Sequence, residues 1–203
     1  MHAPYVLTDS PSLTLRMGPV LRRVSDEEFL AFCRQNPDWR FEMSSEGDLI
    51  IMAPTGSRTG RQNLTLAGIF YAWCEADGTG VGFDSSAGFT LPNGARRSPD
   101  LAWVRNSRWD ALTEAEQEVF APLCPDFVVE LRSPSDSLDA LHAKMREYME
   151  NGAQLGWLID PLDRRVHVYR PCAAPVCLDE AASLSGDPVL PGFVLDCRRV
   201  WDA

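Results

Sequence analysis

The sequence predicts an α/β domain, a mixed β-sheet flanked by helices with additional strands toward the N- and C-terminal ends. Two long segments, 57–76 and 138–151, place apolar residues at helical spacing. Short apolar runs bounded by turn residues lie between and after them. The resulting order, helix then several strands then helix then strand, is that of a sheet covered by helices. At 203 residues the chain is long enough for one full hydrophobic core. A single domain over 1–203 is therefore expected, with residues 1–24 as an arm carrying one strand over 12–17.

Ser25-Asp-Glu-Glu28 has the form of a capping box and starts a short helix that stops before Pro37. Residues 39–43 and 48–53 read as strands joined by the polar turn Ser44-Ser-Glu-Gly47. The first long helix carries Leu64, Leu66, Ile69, Phe70 and Trp73 on its apolar face and closes at Gly78. Strands follow at 81–85, 88–91 and 99–105, with Asn93-Gly94 as a turn. A polar helical stretch is expected over 109–118 and a hydrophobic strand over 126–132. Ser133-Pro-Ser-Asp-Ser137 leads into the second long helix, which Gly152 ends. A buried strand at 155–160 turns at Asp160-Pro161 and returns at 165–170, and short strands continue toward Trp201.

Asp and Glu total 29 against 19 for Lys and Arg, a formal charge of -10. Such a chain does not adhere to nucleic acid or anionic membrane through bulk charge. No run approaches the ~18 apolar residues that cross a bilayer, and the first residues lack the basic start and apolar run of a signal peptide. A cytoplasmic protein is expected. Cysteines 33, 74, 124, 172, 177 and 197 form no Cys-x-x-Cys pair, and His2, His142 and His167 add no ligand spacing, which argues against structural zinc. Gly78, Gly80, Gly82 and Gly88 read as turns, because no Gly-Lys-Ser/Thr follows them.

Two carboxylates interrupt apolar strands. In Phe127-Val-Val-Glu-Leu-Arg132, alternation puts Val128, Glu130 and Arg132 on one face. In Pro99-Asp-Leu-Ala-Trp-Val104, Asp100 shares a face with Ala102 and Val104. A buried carboxylate is costly unless it is paired or binds a cation. Antiparallel pairing of the two strands brings Asp100 and Glu130 side by side at about 5 Å, a pair able to hold one divalent ion. The plainer alternative for each is a salt bridge to an arginine such as Arg97 or Arg132.

The helix after Glu130 carries an apolar stripe of Leu138, Leu141, Met145, Tyr148 and Met149. Lys144 lies about 90° from its centre, at the border of the buried face. It is the only lysine; every other basic residue in the Lys and Arg count is arginine. An ammonium can have its pKa shifted by burial, whereas guanidinium stays charged. A snorkelling lysine on the helix flank is the alternative.

Ser98-Pro99-Asp100, Phe127-Val-Val-Glu130, Ser133-Pro-Ser-Asp-Ser137 and Lys144-Met-Arg-Glu-Tyr148 together resemble the Uma-type endonuclease family. So do Gly152-Ala153, Trp157-Leu-Ile-Asp-Pro161 and Val168-Tyr-Arg-Pro171, over about 39–201. That family belongs to the PD-(D/E)xK restriction-endonuclease-like superfamily. The resemblance implies a restriction-endonuclease-like core and a Mg²⁺ (or Mn²⁺) site that hydrolyses DNA. It implies Asp100, Glu130 and Lys144 as the catalytic set, with Asp100, Glu130 and Glu42 toward the metal. Arg132 stands where the usual lysine two residues after the glutamate is found, and Lys144 on the following helix matches the migrated lysine. Mg²⁺ takes one or two carboxylates plus waters and phosphate oxygens, with the Leu131 carbonyl a further donor. Arg132 is positioned to steady a phosphate, and Arg58, Arg61, Gln62 and Asn63 lie at a helix N-terminus where free amides favour anions. A solvated helix end is the plainer account of that group.

DNA is the expected substrate and a homodimer the expected assembly. The arginine pairs 22/23, 96/97, 164/165 and 198/199 offer a positive rim against the acidic total. The competing expectation is a non-catalytic interaction module that keeps the fold and dimerises through a sheet edge or its arm.

Overall fold

The first strand is already paired. The computed structural model describes residues 12–52 and 55–203, and in it β1 (Ser12–Leu15) runs antiparallel to β3 (Leu49–Met52). The expected strand over 12–17 is shorter, because Gly18–Arg23 winds into a 3-10 turn. Helix α1 (Asp26–Gln35) opens on its capping box: the Glu28 amide donates to Ser25 Oγ at 3.2 Å and the Ser25 amide to Glu28 Oε2 at 2.8 Å. Strand β2 (Arg40–Met43) pairs with β3 and precedes the long helix α2 (Ser57–Asp77). Gly78 ends α2 in the left-handed region at φ 66°, where glycine meets no Cβ penalty.

The middle of the chain alternates between two sheets. Strand β4 (Gly80–Asp84) pairs with β7 (Leu101–Arg105), while β5 (Phe89–Thr90) and β6 (Arg96–Arg97) join the sheet that holds β2. The expected helix over 109–118 is instead two single turns, α3 (Asn106–Trp109) and α4 (Glu114–Gln117), the second started by a capping box at Thr113. Then come β8 (Phe127–Leu131), α5 (Leu138–Glu150), β9 (Leu155–Asp160) and β10 (Arg165–Tyr169). The chain closes with β11 (Val176–Asp179), β12 (Ser183–Ser185), β13 (Val194–Asp196) and α6 (Arg198–Trp201).

The larger sheet has the order β11-β10-β9-β8-β7-β4, and the smaller β1-β3-β2-β6-β5. In the larger sheet β8 and β9 are parallel and the other neighbours antiparallel, so it is mixed. Helix α5 makes the crossover that a parallel pair requires. Strict alternation divides the two faces. Phe127, Val129, Leu131, Trp157 and Ile159 meet α2 and the C-terminal segment. Val128, Leu158 and Tyr169 meet Met145 and Tyr148 of α5. Glu130 alternates with Val128 and Asp100 with Ala102, so both lie toward α5.

Helix α2 turns Leu66, Ile69, Phe70 and Trp73 to the core as expected, but not Leu64. Its buried residues are Thr59, Gln62, Leu66, Phe70 and Cys74, and Leu64 is 74% exposed. At 100° per residue Leu64 sits on the opposite side from Gln62 and Leu66.

Candidate active site

Two adjacent strands and one helix assemble the site. The antiparallel register pairs Leu101 with Val129 and Ala102 with Val128, so the next step outward sets Asp100 opposite Glu130. Asp100 stands at the point where the chain leaves β6 of the smaller sheet and enters β7 of the larger. The Leu131 amide donates to Asp100 Oδ2 at 2.8 Å. Glu130 is buried.

Lys144 reaches into this corner from α5. Its side chain is only 12% exposed, and Nζ lies 2.8 Å from Glu130 Oε1 and 2.7 Å from Glu42 Oε1. The snorkelling alternative is therefore not the one adopted. The turn before α5 is fixed by Asp136, whose Oδ2 accepts the Ser133 amide and hydroxyl, both at 2.7 Å. Ser137 then caps the helix by accepting the Ala140 amide.

Glu42, on β2, brings the smaller sheet into the cluster. Its Oε1 also accepts the Ser98 amide at 2.9 Å, and its Oε2 accepts Arg97 Nη1 at 3.1 Å. Arg97 Nε in turn donates to Glu147 Oε2 at 2.6 Å. Tyr148 donates its hydroxyl to Glu130 Oε1 at 3.0 Å. The contacts Glu147–Arg97–Glu42–Lys144–Glu130–Tyr148 thus form a closed circuit that leaves α5 and returns to the same helical turn.

The charges in this circuit are not balanced evenly. Burial acts to raise the Glu42 carboxyl, but Lys144 and Arg97 overcome it and hold the pKa below the ordinary range. Glu130 has no arginine partner. Burial dominates there, Asp100 and Glu42 add repulsion, and its pKa is pushed up to about 8 against the pull of Lys144. Asp100 is likewise raised, chiefly by burial. Burial opposes the Lys144 ammonium, yet Glu130 and Glu42 more than offset it and its pKa rises.

The oxygen donors suit a hard cation. Among the described residues, Asp100 Oδ1 and Glu130 Oε2 accept no hydrogen bond, while each carboxylate's second oxygen is held by a donor. No group of three His, Cys, Asp or Glu among those residues forms a ready cage. Mg²⁺ usually takes one or two carboxylates and completes its shell with waters and substrate oxygens, and Mn²⁺ shares that oxygen preference. Glu42 differs from the pair, since both its oxygens are taken up by Lys144, Ser98 and Arg97.

A family model described as "Putative restriction endonuclease", Uma2, matches residues 26–198. The chain belongs to the Uma2 family. A crystal structure described as "a putative nuclease belonging to DUF820" from Anabaena variabilis has the same fold as this Uma2 chain. The TM-score is 0.71 at 22% identity, covering 88% of this chain and 98% of that one. No curated protein matches the chain at a significant level. The fold is thus α/β with a restriction-endonuclease-like core, and among the described residues no helix is long and apolar enough to cross a membrane.

The residues expected to meet phosphate in this Uma2 chain are placed differently from one another. Arg132 is paired to acids outside the cluster: its Nη1 lies 2.6 Å from Asp160 Oδ2 and 3.6 Å from Asp163 Oδ2. Gln62 is buried and donates to the Val200 carbonyl at 3.1 Å, tying α2 to α6. Arg58 is exposed on the first turn of α2, and among the described residues it forms no ion pair with the cluster. The arginine pairs do not form one rim. Arg96 and Arg97 are buried, and Arg164, Arg165 and Arg198 are paired to acids.

Replacing Gln62 with alanine is expected to cost about 1–3 kcal/mol for the orphaned Val200 carbonyl and lost packing. That corresponds to a melting-point drop of several degrees. Nuclease activity at a permissive temperature should stay within about twofold, checked by thermal denaturation beside the cleavage assay; a phosphate-binding role predicts the reverse.

Residue types at fixed spacing did not disclose Arg97, Glu147 or Tyr148 as members of the cluster. In the sequence Arg97 reads only as a pairing partner or rim residue, and Tyr148 as part of an apolar stripe. The one available signal was that Glu147 and Tyr148 follow Lys144 by three and four residues, which is one helical turn.

Proposed function

We propose that the chain is a Mg²⁺- or Mn²⁺-dependent endonuclease that hydrolyses DNA phosphodiester bonds. The observation that carries this reading is the pairing of Asp100 and Glu130 across two strands, each with a donor-free oxygen, beside the Lys144 ammonium. Asp100 and Glu130 would hold the cation. When bound, it supplies polarisation of the scissile phosphate and a more acidic water.

The chain's own residues do the remaining work. Lys144 lies within hydrogen-bond distance of Glu130 and places positive charge where the pentavalent phosphate accumulates negative charge. Glu42 keeps that ammonium aimed and charged, and Arg97 keeps Glu42 ionised.

The net charge of -10 and the pairing of most twin arginines favour one second reading, an interaction module that keeps the fold without the chemistry. The test is cleavage of supercoiled plasmid and single-stranded DNA with Mg²⁺ or Mn²⁺, comparing wild type with Asp100→Asn. The nuclease reading expects metal-dependent nicking that Asp100→Asn reduces at least about 100-fold. Absence of nicking in wild type under every condition favours the module, and equal activity in the two proteins removes Asp100 from the mechanism.

A further inference from the structure

We infer that Tyr148 is a positioning residue, which pins one oxygen of Glu130 so that the other is presented to the cation. The inference rests on the metal-dependent reading above and names a residue that reading does not require.

Tyr148 is completely buried, and its hydroxyl donates to Glu130 Oε1 at 3.0 Å. The same oxygen receives the Lys144 ammonium at 2.8 Å. Both donors thus converge on Oε1, and among the described residues none reaches Oε2. A carboxylate held by one donor can rotate about its terminal bond, which is broad and roughly two-fold. Two donors from different directions fix that angle. Lys144 alone would not, because its ammonium is shared with Glu42 and its stem is flexible.

The ring supplies a second constraint. It belongs to the apolar cluster that includes Met145, Val128 and Leu158, so the phenol cannot swing to follow the carboxylate. The Lys144 ammonium lies 5.9 Å from the ring centroid, a distance at which the aromatic face attracts a cation. One side chain therefore touches both groups on which the chemistry is proposed to depend. A tyrosine serving packing alone would be matched by phenylalanine, which has the same ring and lacks the hydroxyl.

The test is Tyr148→Phe, measured by calorimetric titration with Mn²⁺ in the absence of DNA and by the Mn²⁺ dependence of plasmid nicking. Loss of a partner that orients a metal ligand typically weakens binding about 10-fold or more. Mn²⁺ affinity and the half-activating Mn²⁺ concentration should both shift by that factor, with KM for DNA at saturating Mn²⁺ unchanged within about twofold. Equal Mn²⁺ affinity in the variant and wild type overturns the inference while leaving the nuclease reading in place. Failure of wild type to bind Mn²⁺ overturns both. If Tyr148→Phe does not fold, wild type labelled with ¹³C at the tyrosine ring carbon bearing the hydroxyl decides. Addition of Mg²⁺ should displace the Tyr148 resonance, and an unmoved resonance overturns the inference.

Discussion

Lys144→Met is expected to reduce DNA cleavage by roughly 10²- to 10³-fold or more and to make the protein's stability fall steeply as pH rises. The two effects share one cause. The ammonium bridges Glu42 and Glu130 at 2.7 and 2.8 Å inside a nearly closed corner. Methionine fills the space of the lysine stem but leaves two carboxylates facing each other without the bridging cation. Removing one partner of a buried ion pair costs about 3–5 kcal/mol when the charge left behind stays ionised. Glu130 escapes that penalty by taking up a proton, so the cost is small at low pH and large at high pH.

In wild type the Lys144 contribution adds no such pH dependence. The raised pKa of Lys144 gives a contribution that is complete below its unfolded value near 10.5 and disappears only as pH rises through the folded one. It is therefore constant across pH 5 to 8. The measurement is urea denaturation at pH 5.5 and 8.0 without divalent ions, beside plasmid nicking at neutral pH. Nicking within threefold of wild type, or a variant as stable as wild type at pH 8.0, would refute the assigned role.

Glu130→Gln should act in the opposite sense on stability. The Glu130 carboxyl has a folded pKa of about 8 against an ordinary 4.5, so the native state holds a proton that the unfolded chain releases. Its contribution to stability is complete below pH 4.5 and is lost as pH rises through about 8. Glutamine is neutral at every pH, and its side-chain oxygen can still accept from Tyr148 and Lys144. The variant is expected to lack that decline between pH 5 and 8 and to exceed wild type at pH 8.5 by on the order of a few kcal/mol. Cleavage should be lost, because an amide oxygen holds a divalent cation far less well than a carboxylate. Denaturation midpoints at pH 5, 7 and 8.5 in chelator provide the check. A variant less stable than wild type at pH 8.5 would show that Glu130 is ionised and well paired in the native state.

How much of this arrangement can be read from the sequence depends on how locally each contact is specified. The juxtaposition of Asp100 and Glu130 follows from alternation and one antiparallel pairing, and both are properties of short apolar runs. Lys144 is conspicuous because it is the only lysine in the chain. The boundaries of α2 and α5 are legible in their periodicity and in Gly78 and Gly152. Glu42's partners are not legible, since they come from a strand 55 residues later in the same sheet and from a helix about a hundred residues later. Gln62 misleads for the same reason: a polar residue in the first turns of a helix normally faces water, yet α6 closes over it. Leu64 fails because the inward face runs through Thr59, Gln62, Leu66, Phe70 and Cys74, and Gln62 and Leu66 lie about 160° from it around the helix. Tyr148 is hidden because a hydrophobicity pattern counts its ring and ignores its hydroxyl.

The smaller sheet contributes Glu42 and Arg97 to a cluster whose candidate cation ligands sit on β8 and at the start of β7. Detaching β2 or β6 would leave Lys144, Glu130 and Glu147 with unbalanced charge, so local opening of that sheet must carry the cost of dismantling the cluster. A ligand that binds the intact cluster and not the opened form therefore slows amide exchange in β2 as well as in β8. Strand β2 holds neither Asp100 nor Glu130, yet its exchange protection reports whether their site is occupied.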